Sequence, residues 1–165
     1  MASHFDETAF LERLWPLMPV GQRVAFGMLQ NAHETEDALQ EAILKCWRAR
    51  YRVREGSDLR PWFLTVVANE CRQRLRSRWW SVRKTDALPD NPAISVNEDD
   101  AVLDLRTAIR RLPSDMRTVL VLRYYVDLGF EEMGRVLRCS PQAAKSRAFR
   151  ALQRLKTEIP KELGE

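Results

Sequence analysis

The stretch FEEMGRVLRCSPQAAKSRAFRALQRL, residues 130–155, decides the fold of the C-terminal part of this chain. It predicts a short helix, a three-residue turn and a second helix, because Ser140 can cap free N–H groups and Pro141 fits a first helical position. Small and apolar side chains recur at helical spacing on one face of the second helix, namely Ala144, Ala148, Ala151 and Leu155. This face is expected to pack inward.

The other side of this second helix carries polar, aromatic and basic side chains. They are Gln142, Ser146, Phe149 and Gln153, flanked by Lys145 and Arg150. This arrangement is typical of a helix-turn-helix whose second helix enters a DNA major groove. An ordinary αα-hairpin with a solvated basic face is the alternative, and this segment alone leaves both open.

Length and composition predict an all-α protein. The 165 residues suffice for one ordinary domain or two small ones, and the chain has only 6 glycines. β-branched residues do not alternate with polar ones, so strand signals are weak. No apolar run approaches the ~20 residues of a membrane span. The N-terminus MASHFDETAF lacks a secretory signal, so we expect a cytoplasmic location and no membrane span.

The cysteines and histidines give no sign of a metal or cofactor site. Cys46, Cys71 and Cys139 lie far apart and form no CxxC or Cys/His cluster. We expect free, buried thiols, with no metal and no cofactor. A nucleophile–base pair, a carboxylate pair and a phosphate-binding glycine loop are likewise missing from the sequence, so we do not expect an enzyme.

Charge is segregated along the chain. Residues 46–85 carry 11 basic and 3 acidic side chains, and residues 105–165 carry 13 and 7. Residues 86–104 carry 6 acidic side chains and no basic one. Two basic blocks separated by an acidic segment indicate two surfaces that face a polyanion.

The acidic segment also lacks helical periodicity. The stretch TDALPDNPAISVNEDD contains two prolines and several Asp and Asn residues. It predicts a flexible acidic linker over residues 86–100. We therefore expect two small helical domains, over residues 1–85 and 101–165.

The N-terminal domain is predicted to be a compact set of helices. The first begins near Asp6 and is interrupted by Pro16 and Pro19. The second spans about residues 33–50. Its apolar stripe contains Ala38, Leu39, Ala42, Ile43, Cys46 and Trp47. Its outer face contains Asp37, Gln40, Glu41 and Lys45. Considered by itself, this segment favours an ordinary solvent-exposed polar face.

A polar loop, YRVREGSDLR, leads into a third helix that Ser57 or Asp58 could cap. Its expected core positions are Trp62, Phe63, Val66, Val67, Cys71 and Leu75. The remaining faces carry Asn69, Arg72, Arg76, Arg78, Trp79 and Trp80. Arginines interleaved with aromatics suit single-stranded nucleic acid, whereas aromatics at helical spacing are usually core.

In order along the chain, these segments resemble the extracytoplasmic-function (ECF, group IV) sigma factors of bacterial RNA polymerase. TEDALQEAILKCWRAR is similar to their region two signature, and PWFLTVVANECRQRLR to the helix that follows. RRLPSDMRTVLVLRYYVDLGFEEMGRVLRCSPQAAKSRAFRALQRL resembles region four. The resemblance covers nearly the whole chain apart from the linker and the termini.

The resemblance implies a promoter-specificity subunit that binds core RNA polymerase at its clamp helices and flap region. Asp37, Gln40 and Glu41 match the clamp-binding surface. The minus-10 element would be melted and captured by Arg54, Ser57, Asp58, Arg60, Asn69, Arg72 and Arg76. The minus-35 duplex would be read by Gln142, Lys145, Ser146, Arg147, Phe149 and Arg150, with Arg147 towards the backbone. An anti-sigma factor would be a further partner.

Some positions depart from the family pattern. Gln73 stands where Asp is usual, Ala143 and Ala144 where Thr and Val are common, and Gly134 where Ala is usual. The glycine is expected to cost about 1 kcal/mol of helix stability. Two other functions remain open: a free-standing helix-turn-helix regulator that dimerises on paired half-sites, and a sigma-like decoy that sequesters an anti-sigma factor.

Overall fold

A computed structural model describes the backbone of residues 6–85 and 99–159 and the side chains of residues 6–78 and 99–159. Every regular element in these ranges is helical, as the sequence predicts. The α-helices are α1 (Glu7–Leu14), α2 (Met18–Leu29), α3 (Ala32–Arg48), α4 (Leu59–Thr85), α5 (Asp100–Arg111), α6 (Ser114–Leu120), α7 (Phe130–Leu137) and α8 (Pro141–Glu158). Short 3₁₀ turns lie at Trp15–Leu17 and Arg50–Arg52, and a π turn at Val121–Tyr125.

Side-chain caps and prolines set the helix boundaries in the first half of the chain. Asp6 caps α1 by accepting hydrogen bonds from the N–H groups of Thr8 and Ala9 at 3.0 and 3.2 Å. The expected interruption near the prolines is confirmed, because α1 ends at Leu14 and α2 restarts at Met18. Asn31 caps α3 through the N–H of Glu34 at 3.0 Å.

Helices α2, α3 and α4 pack into one layer of core. Their fully buried side chains include Val24, Ala25, Met28, Ala38, Ala42, Cys46, Phe63, Leu64, Val67 and Cys71. The predicted stripe of α3 is therefore confirmed at its small residues, while Leu39, Ile43 and Trp47 are partly buried against the same core. Of the two candidate caps for α4, Asp58 accepts the hydrogen bond, from the N–H of Arg60 at 3.0 Å.

The predicted helix-turn-helix is present as α7 and α8. Arg138 ends α7 in the left-handed conformation, with φ of +54°. Ser140 caps α8, since its Oγ accepts a hydrogen bond from the N–H of Ala143 at 3.1 Å. The inward stripe Ala144, Ala148, Ala151 and Leu155 is buried as expected.

The two helical domains pack against each other through α4. Its outer side contacts α6 and α7, and α2 contacts the π turn. The buried hydroxyl of Thr65 on α4 lies 2.9 Å from the carbonyl oxygen of Val136 on α7 and 2.7 Å from that of Pro61, so its one proton is shared between the two acceptors. Buried Arg117 on α6 donates to the carbonyl oxygen of Met28, at the end of α2, at 3.0 Å. Burial lowers the pKa of Arg117 to about 10, so it remains charged at neutral pH.

Outside these ranges lie most of the expected linker, residues 86–98, and the side chains of Trp79 and Trp80. Helix α5 begins at Asp100, which is the last residue of the expected linker.

Gly134 is required by the turn of the helix-turn-helix rather than merely tolerated in α7. A Cβ at this position would lie 2.6 Å from the carbonyl oxygen of Cys139. The N–H of Cys139 also donates to the carbonyl oxygen of Gly134 at 2.9 Å, which fixes the close approach. The loss of helix propensity at Gly134 is therefore offset by a turn that a side chain would distort.

We expect Gly134→Ala to destabilise the protein by about 1–3 kcal/mol, because the overpacked turn outweighs the better helix propensity of alanine. Gly129→Ala is the matched control, since nothing lies within 4 Å of a Cβ there. Chemical denaturation of both variants measures the difference. A Gly134→Ala variant as stable as Gly129→Ala would contradict the steric argument.

Only Cys139 among the three thiols is expected to react rapidly with a thiol reagent in the native state at pH 8. Cys46 and Cys71 are fully buried, and Cys139 is partly exposed. Burial raises the pKa of Cys46 and Cys71 to about 12. The stability that these neutral thiols contribute is complete below their unfolded pKa of about 8.5 and is lost as pH rises through the folded value.

The measurement is a time course of labelling before and after denaturation, together with unfolding at pH 8 and pH 10. Three rapidly labelled thiols in the native protein would show that the core is open. Stability that does not fall between the two pH values would contradict the raised pKa values.

Candidate functional site

The outward face of α8 holds all the predicted minus-35 residues. Gln142, Lys145, Ser146, Arg147, Phe149 and Arg150 are all exposed. Phe149 has 64% of its surface accessible, which is unusual for a large apolar side chain. Because the inward side consists of alanine and leucine, α8 lies close to its supporting helices and presents polar and aromatic groups outward.

The predicted minus-10 residues occupy the loop before α4 and α4 itself. Arg54, Ser57 and Asp58 are exposed in this loop, and the hydroxyl of Ser57 donates to the carbonyl oxygen of Arg54 at 2.7 Å. On α4, Asn69 and Arg76 are exposed. The loop leads directly into α4, and Asn69 lies nine residues after Arg60, on the other side of the helix.

Three of the predicted minus-10 residues are engaged by the second domain. Arg60 lies 2.7 Å from Glu132. Asp58 lies 3.7 Å from Arg135, and Arg72 lies 3.3 Å from Asp115. Arg72 also donates to the side-chain oxygen of Asn69. These side chains are thus paired within the chain instead of facing solvent alone.

A single cleft brings the two predicted DNA surfaces together. Arg72 of α4 and Arg147 and Arg150 of α8 line a cavity of about 340 Å³. Asp115 is the acidic residue among its lining groups. Three guanidinium groups around so small a volume make the cleft strongly positive.

The predicted clamp residues form one exposed face of α3. Asp37 and Glu41 keep 45% and 37% of their side-chain surface, and Gln40 is exposed. Within the described residues, Asp37 and Glu41 have only long ion-pair contacts, to His33 and Arg48 respectively, at 3.9 Å in both cases. Lys45, expected on the same face, instead pairs with buried Glu70 of α4.

Sequence reasoning missed Leu44, which belongs to the same face of α3. It is 46% exposed and follows Asp37, Gln40 and Glu41 at helical spacing. Leu44 lies outside the apolar stripe of α3, and from this position its exposure could have been predicted. An exposed leucine flanked by carboxylates can contribute buried apolar area to a docked partner.

A second feature that the sequence did not reveal is an apolar cleft of about 470 Å³ between the two domains. Phe26 and Gly27 of α2 line one side of it. Side chains from the second domain line the other, among them Val102, Leu105, Tyr124 and Tyr125. These four side chains are 41–59% exposed. Accessible apolar side chains gathered in a cleft offer a surface on which the apolar face of a partner could be buried.

Neither a metal cluster nor a membrane span is found in the parts of the chain that the structure describes. No group of three or more His, Cys, Asp or Glu residues there could hold a metal ion. No helix there is long and apolar enough to cross a bilayer.

Two protein families match the chain, one in each domain. Sigma-70 region 2 matches residues 18–81, from α2 into the C-terminal part of α4. Sigma-70, region 4 matches residues 103–155, which include the helix-turn-helix. The two matched ranges contain all the residues predicted above for polymerase and DNA binding.

Individual proteins resemble the chain over most of its length. RNA polymerase sigma factor CarQ of Myxococcus xanthus is 32% identical over 133 residues, which cover 78% of this chain and 76% of CarQ. ECF RNA polymerase sigma factor EcfG of Rhodopseudomonas palustris is 27% identical over 141 residues, covering 84% and 78%. Among solved structures, sigma factor RpoE of Bartonella quintana, crystallised with the anti-sigma factor NepR, has a TM-score of 0.71 at 25% identity, covering 91% of this chain and 96% of RpoE.

The helix-turn-helix, the matches to both regions in the expected order and the similarity along the chain agree with one another. The chain belongs to the RNA polymerase sigma factors, and within them it is an ECF sigma factor.

Proposed function

We propose that this ECF sigma factor belongs to group IV and directs core RNA polymerase to promoters in the cytoplasm, without catalysing a reaction itself. Region two corresponds to residues 1–85, the linker to residues 86–100 and region four to residues 101–165. The predicted minus-35 residues read duplex DNA, and the predicted minus-10 residues capture bases of the melted strand. The predicted clamp residues dock on the clamp helices, while region four contacts the flap region.

The exposed face of α8 is the observation that carries this proposal. A major groove about 12 Å wide admits an α-helix, and α8 begins at Pro141 with six exposed polar, basic or aromatic side chains in its first three turns. Lys145 and Arg150 can donate to guanine edges, whereas exposed Phe149 suits contact with a thymine methyl group.

Capture of a minus-10 base is supported by the position and chemistry of the 49–58 loop. A base must leave the duplex stack before its pairing edge can be read. The loop offers the hydroxyl of Ser57, the carboxylate of Asp58 and the guanidinium of Arg54, all exposed. These groups supply both donors and acceptors to an unpaired base.

Reading both promoter elements at once requires the two domains to separate. Positions minus-35 and minus-10 are about 25 base pairs apart, or roughly 85 Å at 3.4 Å per base pair. Arg72 and Arg150, which serve different elements, line the same cleft of about 340 Å³. We infer that the described arrangement is a closed form. Its three ion pairs between the domains are partly exposed, so each opposes opening by only about 0–1 kcal/mol.

An anti-sigma factor is the proposed regulator. The related RpoE was solved in complex with the anti-sigma factor NepR. In this chain the apolar cleft is lined from both domains, by Phe26 on one side and Leu105 and Tyr125 on the other. A partner helix that buried its apolar face there would contact both domains together and favour the closed form.

Charge reversal on α3 tests the docking proposal. Asp37→Lys and Glu41→Lys are each expected to weaken binding to core polymerase by about tenfold or more, because a cation replaces a carboxylate opposite a basic surface. Glu12→Lys makes the same charge change at an exposed position on α1 and is the matched control. Binding of labelled full-length protein to core polymerase is measured at several salt concentrations. If both α3 variants bind as tightly as Glu12→Lys at low salt, α3 is not the docking surface.

Alanine substitution on α8 tests minus-35 recognition. Lys145→Ala and Arg150→Ala should each lower the affinity of the holoenzyme for promoter duplex by about 1–3 kcal/mol where the side chain pairs with a guanine. Arg147→Ala should weaken promoter and scrambled duplexes alike and reduce the salt slope by about one, as a phosphate contact does.

Lys156→Ala is the control for these variants, because it removes an exposed cation from the last turn of the same helix. A salt-titrated binding series on promoter and scrambled duplexes separates the two kinds of contact. A Lys145, Arg147 and Arg150 triple alanine variant that binds promoter DNA like the parent would exclude α8 as the reading helix and favour a decoy function.

A further inference from the structure

Helix α1 contacts both ends of the 49–58 loop with one of its faces. Glu7, Phe10 and Arg13 follow one another at intervals of three residues, so they lie on the same side of the helix. Each of the three touches the loop or a tryptophan that adjoins it. Nothing in the proposed recognition of promoter or polymerase uses these three side chains.

Arg50 joins the beginning of the loop to α1. Its guanidinium lies between the rings of Trp47 and Tyr51, at 4.0 and 4.1 Å from their centroids. One nitrogen donates to the carbonyl oxygen of Trp47 at 2.8 Å, and another to the carboxylate of Glu7 on α1, also at 2.8 Å. Only 12% of the Arg50 side chain is exposed. A stacked, partly desolvated guanidinium with these partners is held in one orientation.

Phe10 and Arg13 extend the contact to the end of the loop. The ring of Phe10, which is 2% exposed, lies 6.3 Å from that of Trp47 before the loop and 6.5 Å from that of Trp62 after it. Arg13 donates from its guanidinium to the main-chain carbonyl oxygen of Ser57. The contact is to the backbone, so it fixes the path of the loop whatever the side chain at position 57.

We propose that α1 positions the 49–58 loop for base capture, with Arg13 and Arg50 as its positioning residues. This rests on the proposed function, in which Arg54, Ser57 and Asp58 capture a minus-10 base. Apart from the 3₁₀ turn Arg50–Arg52, the loop has no regular structure, and Gly56 adopts a φ of +77°. Without support, a loop of this kind would become ordered only when it binds the DNA base. The entropy lost in that ordering would lower both the affinity and the discrimination between bases. The three α1 contacts supply that order beforehand.

Arg13 provides the sharpest test, because its hydrogen bond goes to a backbone atom. Holoenzyme is assembled from core polymerase and each full-length variant. Wild-type holoenzyme first selects a promoter from random duplexes, and the selected sequence is made as a fork with its minus-10 strand unpaired. Affinity is then compared between forks that carry the selected base and forks that carry each other base at the most discriminating minus-10 position.

We expect Arg13→Ala to reduce this base discrimination roughly fivefold to tenfold, which lies within the range for net loss of one ordinary intramolecular hydrogen bond. Arg13→Lys keeps a donor and should restore most of it. Glu12→Ala, on the exposed side of α1, should behave like the parent. Discrimination at minus-35 and affinity for core polymerase should not change in any of the three, whereas a general loss of folding would lower them all.

Arg50→Lys and Arg50→Ala give a second measurement on the same forks. Lysine keeps the charge opposite Glu7 but not the planar stack between the two rings, so we expect partial loss with lysine and a larger loss with alanine. Equal discrimination in Arg50→Ala and the parent would overturn the role of Arg50.

The outcomes separate the positioning role from the function on which it rests. If Arg54→Ala and Asp58→Ala lose minus-10 discrimination while Arg13→Ala keeps it, the loop captures the base but α1 does not position it. If the loop variants also keep it, base capture by the loop is wrong and the positioning role falls with it. If Arg13→Ala loses base discrimination equally at minus-10 and minus-35, and Arg13→Lys does not restore it, α1 contributes only to the general stability of the fold. That result would overturn the inference.

Discussion

Burial of α4 on two sides is the constraint on which the rest of the structure depends. One side carries Phe63, Val67 and Cys71 into the core with α2 and α3. The other meets α6 and α7, where the hydroxyl of Thr65 shares its proton between the carbonyl oxygens of Val136 and Pro61. A helix with two buried faces joins two cores into one body. In this arrangement the position of the loop before α4 relative to the helix-turn-helix after it depends on these contacts of α4.

The buried polar groups between the two domains fix how the domains are oriented but add little to the free energy that holds them together. Arg117 is buried and, among the residues that the structure describes, pairs with no carboxylate; it donates instead to the main-chain carbonyl oxygens of Met28 and Arg110. Met28 lies in the last turn of α2, where the helix dipole favours a cation. Desolvation of the guanidinium offsets much of this attraction, as the lowered pKa of Arg117 indicates. An interface of this composition agrees with the proposal that the two domains separate on promoter DNA.

Local patterns in the sequence predicted the helices and most of the exposed residues. Ser140, Pro141 and the alanine stripe were sufficient for α8, because capping and periodicity act within one helix. Asp58 could be named as a candidate cap for α4 for the same reason. Thr65 and Arg117 could not be recognised as interface residues, since their partners are 71 and 89 positions away in sequence. The pairing of Arg60 with Glu132 and the apolar cleft between the domains likewise depend on tertiary packing, which leaves no periodic signal.

Under the proposed function, Asp58, Arg60 and Arg72 have two competing sets of partners, namely promoter DNA in the open form and the ion pairs of the closed form. In such a system the apparent affinity for DNA equals the intrinsic affinity scaled by the fraction of molecules in the open form. Removing the Arg60 side chain takes away a DNA contact and also a bond that holds the closed form. The two effects on apparent affinity have opposite signs, so substitutions here report their sum. A substitution of Glu132 changes only the fraction of molecules in the open form. Comparing substitutions of Arg60 and Glu132 therefore separates the energy of the DNA contact from the cost of opening.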